Sequence, residues 1–196
     1  MKQARILTTA EFKRVLAVIG AHRYSERNRA IFYLSFLGGL RACEISALKL
    51  SDVVDDDYKV KTQIVLHANM TKGNERNRVI VSTALQRALK RYIQAVCAFK
   101  APNTPLIVSQ KGGSFSPLTI VQLFAKFYEK AGVSGASSHS GRRQYITALA
   151  ENQINIRVIQ EIARHHHNNT TMKHNIINDV KLIKDVDVVK INKGYS

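Results

Sequence analysis

The segment from Ser137 to Asn178 reads SSHSGRRQYITALAENQINIRVIQEIARHHHNNTTMKHNIIN, and it carries most of the chain's histidines. His139 and Arg142 lie three residues apart on a predicted helix, so their side chains share a face. Core packing does not require this spacing. A guanidinium and an imidazole on one helix face can hold a phosphate group. The segment therefore predicts phosphate chemistry.

The whole chain is strongly basic. Its 196 residues include 30 Lys and Arg against 14 Asp and Glu, a formal net charge of +16. Such an excess causes self-repulsion, which a polyanion relieves, and we therefore expect nucleic acid as the partner. The hydrophobic content of 45% is that of an ordinary globular protein, and the length suits one domain with its own core.

Cysteine usage and hydropathy indicate the compartment. Cys43 and Cys97 lie in apolar, helix-like contexts and cannot form a disulfide framework. No apolar run is long enough to span a bilayer, and the N-terminus lacks the hydrophobic region of a signal peptide. We expect a soluble, cytoplasmic protein with no membrane partner.

The first half of the chain shows helix signals and then β signals. Thr8 and Glu11 form a capping box, and an apolar helix over Ser25–Leu37 is predicted to end at the Gly38-Gly39 pair. β-rich runs follow at 58–67 and 78–81, and 106–108 is a short strand or an extended segment. The expected fold class is α+β, mainly helical, with a small antiparallel three-stranded sheet.

The last third is predicted to be helical in at least three pieces. They begin near His139, span about 156–164, and begin again near Asn169. The tail after Asn178 has apolar residues at helical spacing, and it forms either a weak helix or a loose arm.

Two further basic groups precede the histidine-rich segment. Arg41 follows the glycine pair at the head of a helix, where an anion is favoured. Lys72 sits in a predicted turn, with Arg76 and Arg78 close behind. From these residues alone, a solvated basic turn and an ammonium delivered to a nucleic acid both remain open.

The histidine run His165-His166-His167, together with His174, also invites a metal interpretation. Consecutive histidines on a helix point in different directions, and no HExxH spacing or carboxylate cluster completes a site. We therefore expect neither a metal nor another cofactor.

Four motifs, in order, resemble those of the tyrosine recombinases, the phage integrase family. Gly39-Leu40-Arg41-Ala42-Cys43-Glu44-Ile45 is similar to the first arginine motif, and Thr71-Lys72-Gly73 to the lysine hairpin. His139-Ser140-Gly141-Arg142 is similar to the His-x-x-Arg motif, and Ile159–His165 with Thr170-Thr171 to the final box.

The resemblance implies a role for each motif residue. Arg41 and Arg142 would clamp the scissile phosphate and stabilise its five-coordinate transition state. Lys72 would protonate the leaving 5′ oxygen, while His139 and His165 would position the phosphate and assist proton transfer. The family uses no metal and forms a covalent 3′-phosphoryl link to the protein. Candidate DNA-binding residues beside these are Arg76, Arg78, Arg143 and Arg164.

The chain departs from the family pattern at two positions. Arg164 stands where the family has glycine, and His174 stands at the position of the nucleophilic tyrosine. Four explanations stay open: His174 attacks, Tyr195 is delivered by the tail in cis or in trans, the protein is an inactive relative, or the tyrosine was replaced. The candidate functions are thus a site-specific recombinase, a catalytically inactive DNA-binding regulator on the same fold, and, third, a metal-dependent nuclease.

The same resemblance suggests the domain organisation. Residues 1–178 would form the catalytic domain, and 179–196 a tail that is a helix or an arm exchanged between protomers. Family members commonly carry a core-binding domain ahead of this unit, and the chain is similar in size to the recombinases that invert fimbrial promoter segments. Strand exchange would take place on duplex DNA in a homotetramer.

Overall fold

The computed structural model describes residues 4–71, 76–98, 100–163 and 179–189. Helix α1 spans Thr9–Gly20, and the predicted capping box is confirmed. The Glu11 amide donates to Thr8 Oγ1 at 3.3 Å, and the Thr8 amide donates to a Glu11 carboxylate oxygen at 2.9 Å. These bonds satisfy amides that the first helical turn otherwise leaves unpaired. They also hold the pKa of the Glu11 carboxyl below its usual value.

Helix α2 spans Ser25–Gly38 and is the central helix of the core, because it packs against α1, α5 and α7. Its side chains are buried nearly all round, as its apolar sequence predicts. The helix ends at Gly39, whose left-handed conformation lets the Leu40 amide donate to the Leu34 carbonyl at 3.1 Å. Two short helices follow, α3 over Ala42–Ala47 and α4 over Leu50–Val53.

The sheet of the described chain has two antiparallel strands. β1 spans Gln63–Leu66 and β2 spans Asn77–Ile80, with Gln63 opposite Ile80 and Leu66 opposite Asn77. A 3-10 turn over Ala68–Met70 follows β1.

The sequence predicts three strands, but the sheet has two among the residues that the structure describes. The β-like run at 106–108 lies elsewhere: the Leu106 amide donates to the Leu48 carbonyl at 2.8 Å, and Pro105 forms an isolated bridge with Lys49. The hydroxyl of Tyr92 donates to the Leu106 carbonyl at 2.8 Å. The amide and the carbonyl of Leu106 are thus both hydrogen-bonded away from β1 and β2, so this segment does not pair with the sheet.

The remaining helices cover the second half of the chain. α5 spans Thr83–Tyr92 and continues into a π-helical turn over Ile93–Cys97. α6 spans Pro117–Lys130, with its proline in the first turn, where proline's missing N–H costs nothing. α7 spans Ser140–Glu151 and α8 spans Ile156–Ala163. None of the described helices is long and apolar enough to cross a membrane.

Helix α9, over Asp179–Val186, shows that the first part of the tail is helical. Val186 is fully buried, and α9 lies against β2. Just after the helix, the Asp187 carboxylate accepts hydrogen bonds from the amide and the hydroxyl of Thr83, at 2.6 and 2.8 Å. A carboxylate at the start of α5 is favourable because the first amides of a helix carry partial positive charge.

Candidate anion-binding site

Gly39 forms the loop that positions the first motif arginine. Its φ of 61° is the left-handed region that favours glycine. A Cβ at this position would lie 2.6 Å from Cδ1 of Tyr145, which is one turn beyond Arg142 on α7. Glycine is therefore needed for the turn and for the close approach of α7 to the loop.

Arg41 precedes α3 and is held by Glu44. The guanidinium donates to one carboxylate oxygen of Glu44 at 2.8 Å, and the Arg41 amide donates to the other at 2.8 Å. The Glu44 side chain has no exposed surface, while that of Arg41 is 26% exposed. A buried carboxylate requires a compensating charge, so Glu44 fixes Arg41 at the helix start and leaves part of its guanidinium accessible.

Arg142 brings the second motif to the same loop. Its Nη1 donates to the Gly39 carbonyl at 2.6 Å, two residues before Arg41, and the residue is only 8% exposed. Gly141 allows this approach, because a Cβ there would lie 2.4 Å from Ser35 Oγ and 2.7 Å from the Phe36 ring on α2. Tight packing of α7 on α2 thus places Arg142 beside the Arg41 loop.

His139 immediately precedes α7 and is exposed. Its amide donates to Ser137 Oγ at 3.3 Å, and Ser140 Oγ in turn accepts from the Ser137 amide at 3.0 Å. These local bonds order the turn that leads into α7. The imidazole therefore lies at the N-terminus of the helix, where a negative charge is stabilised, with Arg142 one turn further in.

The other predicted site residues are placed as follows. Lys72 belongs to the connection between the paired strands β1 and β2, but Lys72 itself, Arg164, His165, His174 and Tyr195 lie outside the described residues. Arg76 is exposed just before β2, and Arg78 is on β2, half-buried. Arg143 is half-buried and donates to the Ala4 carbonyl, so it also holds the N-terminal segment against α7.

Glu44 is a site residue to which the sequence interpretation gave no role. Its signal was present, since an acidic residue three positions after a helix-starting residue is the spacing of a capping box. What the pattern could not show is that the carboxylate also binds the Arg41 guanidinium and is completely buried.

The arrangement suits an anion rather than a cation. Arg142 donates to the carbonyl of Gly39, two residues before Arg41, so both motif arginines lie at the loop that leads into α3. Each guanidinium is already held in place by an acceptor of the protein. It therefore needs little reorganisation to stabilise a negative charge that develops on a bound group. Among the described residues, no group of three or more His, Cys, Asp or Glu side chains could hold a metal; the histidine run falls outside them.

The sequence profile of the phage integrase family matches residues 5–179, and the chain therefore belongs to this family. The chain is 28% identical over 152 residues to tyrosine recombinase XerC of Anoxybacillus flavithermus, covering 74% of this chain and 48% of that protein. It is 28% identical over 191 residues to tyrosine recombinase XerA of Thermococcus onnurineus, covering 96% of this chain and 64% of the relative. The chain thus spans about half to two thirds of the length of these relatives.

Solved structures show the same fold. The integrase from mycobacterium phage Brujita superposes with a TM-score of 0.70 at 19% identity, over 100% of this chain and 61% of that one. XerH recombinase bound to difH substrate superposes with a TM-score of 0.64 at 19% identity, over 85% of this chain and 48% of that one. The mainly helical architecture with a small antiparallel sheet is therefore the integrase catalytic fold.

Proposed function

We propose that this protein breaks and rejoins duplex DNA at a specific site by the tyrosine recombinase mechanism, without a metal. The observation that carries the proposal is the hydrogen bond from Arg142 to the Gly39 carbonyl, which joins the two arginine motifs at one loop. Family membership supports the same reaction. A basic protein with two motif arginines at one loop fits a phosphodiester substrate.

In the proposed reaction, Arg41 and Arg142 bind the non-bridging oxygens of the scissile phosphate. A protein nucleophile forms a bond to phosphorus as the bond to the 5′ oxygen breaks, and Lys72 gives that oxygen a proton. His139 and His165 position the phosphate and take part in proton transfer. The reverse attack by a 5′ hydroxyl releases the protein and joins the strands. No external energy source is required, because the phosphoryl link is conserved.

The proposed reaction has two candidate nucleophiles, His174 and Tyr195. His174 stands at the position of the family tyrosine, and an imidazole nitrogen can form a phosphoenzyme link. Tyr195, in the tail, is the alternative nucleophile. The histidine also supports a second function: a catalytically inactive regulator that binds DNA sites through the same pocket.

We further propose that residues 1–178 form the catalytic unit, that several copies act together on duplex DNA as a tetramer, and that residues 179–196 form a tail that can exchange between copies. A DNA-bound solved relative supports the DNA partner.

The tail has a specific test. Thr83 and Asp187, which are hydrogen-bonded in one chain, are both replaced by cysteine in a background lacking Cys43 and Cys97. An exchanged tail gives disulfide-linked oligomers on DNA, whereas only internally linked monomers, with and without DNA, would exclude exchange.

The activity test begins by selecting bound duplexes from a random-sequence library, because the target site is unknown. Nicked suicide substrates built on the selected site are then incubated with wild type, His174→Tyr, His174→Ala and Tyr195→Phe. The readout is a protein–DNA adduct that resists SDS. Arg142→Gln is the control that should abolish adducts in every background while the protein remains folded.

The outcomes distinguish the two candidate nucleophiles, and the recombinase from the regulator. An adduct lost in His174→Ala and kept in Tyr195→Phe identifies His174 as the nucleophile, and the opposite pattern identifies Tyr195. If site-specific DNA binding is retained but no variant forms an adduct, including His174→Tyr, the regulator is supported. Cleavage abolished by a chelator would overturn the recombinase mechanism.

A further inference from the structure

A groove runs along helix α5 on the side turned away from the core. One wall is the turn Asp57–Val60, and the other is the helical face from Gln86 to Gln94, continuing to Ala98. The groove has a volume of about 890 Å³. This lies within the roughly 300–1,000 Å³ that is common for binding sites. Leu85, Leu89 and Tyr92 are the buried residues of α5, so the groove lies on a different face from the one that packs on α2.

Both walls are held in place by hydrogen bonds. Asp55 Oδ1 accepts from the amides of Asp57 and Lys59, at 3.1 and 2.8 Å, which closes the turn. Gln86 Nε2 donates to the Val60 carbonyl at 2.9 Å and ties the turn to α5. The groove is therefore formed in the free protein, which lowers the ordering cost of binding.

The backbone is unusual on both walls. Tyr58 has a φ of 59°, a conformation that a bulky residue rarely adopts, and its hydroxyl donates to the Lys100 carbonyl at 2.7 Å. The opposite wall contains the π-helical turn Ile93–Cys97. Left-handed bulky residues and π-helical turns both concentrate at functional positions.

The floor of the groove is apolar and its rim is basic. Val60 and Ile93 form the floor, with the half-exposed ring of Tyr58 beside them. Lys59 is paired with Asp57 at 3.1 Å, whereas Arg87 and Lys90 are exposed and have no ion-pair partner within the described ranges. The groove thus offers apolar contact below and two uncompensated cations at its edge.

The spacing of these groups indicates the kind of ligand. Gln86, Lys90 and Gln94 follow one another at successive turns, so polar side chains extend for about 12 Å along the helix. A compact anion would require donors that converge on one point, whereas these suit an extended ligand. An apolar floor does not suit the phosphate backbone of DNA, and it does suit a peptide side chain.

We propose that this groove binds a short acidic, amphipathic segment of a partner protein. An apolar side chain of the segment packs on Val60 and Ile93, and its carboxylates pair with Arg87 and Lys90. The side-chain oxygen of Gln86, whose nitrogen is bonded to Val60, and the side-chain amide of Gln94 can form hydrogen bonds to its polar groups. The interaction is separate from strand transfer and does not depend on the nucleophile.

The probe is a fluorescein-labelled synthetic peptide of glutamate and leucine, with leucine at helical spacing, measured by fluorescence anisotropy. One control peptide replaces leucine with glutamine at the same charge, and another replaces glutamate with lysine. The test variant is Arg87→Glu/Lys90→Glu. Lys126→Glu/Lys130→Glu, which reverses two exposed charges on α6, is the matched control. Amide chemical shifts of wild type with the peptide locate the bound surface.

We expect the groove variant to bind the acidic leucine peptide about tenfold more weakly than wild type, while the α6 variant changes affinity less than twofold. Shift changes should centre on residues 57–60 and 86–94. Equal losses in both variants, or equal affinity for the glutamine peptide, would reduce the effect to general charge attraction and overturn the proposal. So would a loss of duplex DNA affinity in the groove variant that exceeds the loss in the α6 variant, because the groove would then be a nucleic-acid surface.

Discussion

The anion-binding pocket, formed by Arg41, Arg142 and the Gly39 loop, and the groove along α5 each contain two cations. The two regions differ in whether the protein itself supplies acceptors for those cations. In the pocket, each guanidinium is bonded to an acceptor of its own chain, the Glu44 carboxylate or the Gly39 carbonyl. In the groove, Arg87 and Lys90 are exposed, with no ion pair in the described part of the molecule. Fixed cations suit one anion of constant shape, and free cations suit partners whose carboxylates vary in position.

The difference also lies in what supports each region. The pocket depends on close contact between buried elements, so small changes in volume should be costly. The groove depends on a surface turn tied to one helix, so equivalent changes should be tolerated. Substitutions in the two regions should therefore differ in their effect on stability.

Gly39→Ala should cause the largest loss of stability. A left-handed alanine costs about 1–2 kcal/mol, and the new Cβ, 2.6 Å from the Tyr145 ring, adds a packing cost of about 1–3 kcal/mol. We expect the free energy of unfolding, measured by urea denaturation, to fall by about 3 kcal/mol.

Gly132→Ala is the matched control. Its φ of 63° is nearly that of Gly39, but a Cβ there meets no atom within 4 Å. It should cost only the conformational part, about 1–2 kcal/mol. If the two variants lose the same stability, the close packing of α7 on the Gly39 loop is refuted, and with it the difference between pocket and groove.

Arg41→Ala should have the next largest effect, because it removes the ion pair that Arg41 forms with the buried Glu44 carboxylate. Breaking a fully buried pair costs about 3–5 kcal/mol, and the partial exposure of Arg41 lowers our expectation to about 2 kcal/mol. The measurement is again the free energy of unfolding.

The double variant Arg41→Ala/Glu44→Gln sharpens this result. Neutralising the buried carboxylate should restore about half of the lost stability, since a neutral amide is less costly to bury. The comparison is the ion pair Arg91–Glu26, in which Arg91 is exposed and Glu26 half-buried. Replacing both with neutral residues should change stability by less than about 1 kcal/mol. A double variant no more stable than Arg41→Ala would show that Glu44 is not a buried charge held by Arg41.

Much of the pocket could be predicted from the sequence because its signals are local. Residues close together in the sequence are enough to recognise each of these signals: the glycine pair, the helix start after Arg41, and the spacing of His139 and Arg142. The bond from Arg142 to the Gly39 carbonyl joins residues 103 positions apart, and no local pattern specifies that partner. Family resemblance, and not periodicity, supplied the expectation that the two motifs meet.

The number of strands was predicted less well, because the run at 106–108 had several possible partners. The run at 106–108 has the composition of a strand, but only tertiary contacts decide that Leu106 pairs with Leu48 instead of the sheet. Arg143 is a different case: its charge predicts contact with DNA, and its bond to the Ala4 carbonyl depends on the path of the N-terminal segment, which no local pattern specifies. The DNA-binding role of Arg143 stays a prediction.

The groove gave no sequence signal, since Tyr58 is not a residue expected in the left-handed region. This makes Tyr58 the place for the smallest and most discriminating prediction. Tyr58→Phe removes only the hydrogen bond to the Lys100 carbonyl and should lower the free energy of unfolding by about 0.5–1 kcal/mol.

The glycine and alanine variants then test the strain at the groove wall. Tyr58→Ala loses the hydrogen bond and keeps the left-handed conformation, whereas Tyr58→Gly loses the bond and relieves the strain. We expect the glycine variant to be the more stable of the two by about 1 kcal/mol, which reverses the usual order of alanine and glycine. If alanine proves equal or better in urea denaturation, the turn at 57–60 is unstrained, and the groove loses one of its two unusual backbone features.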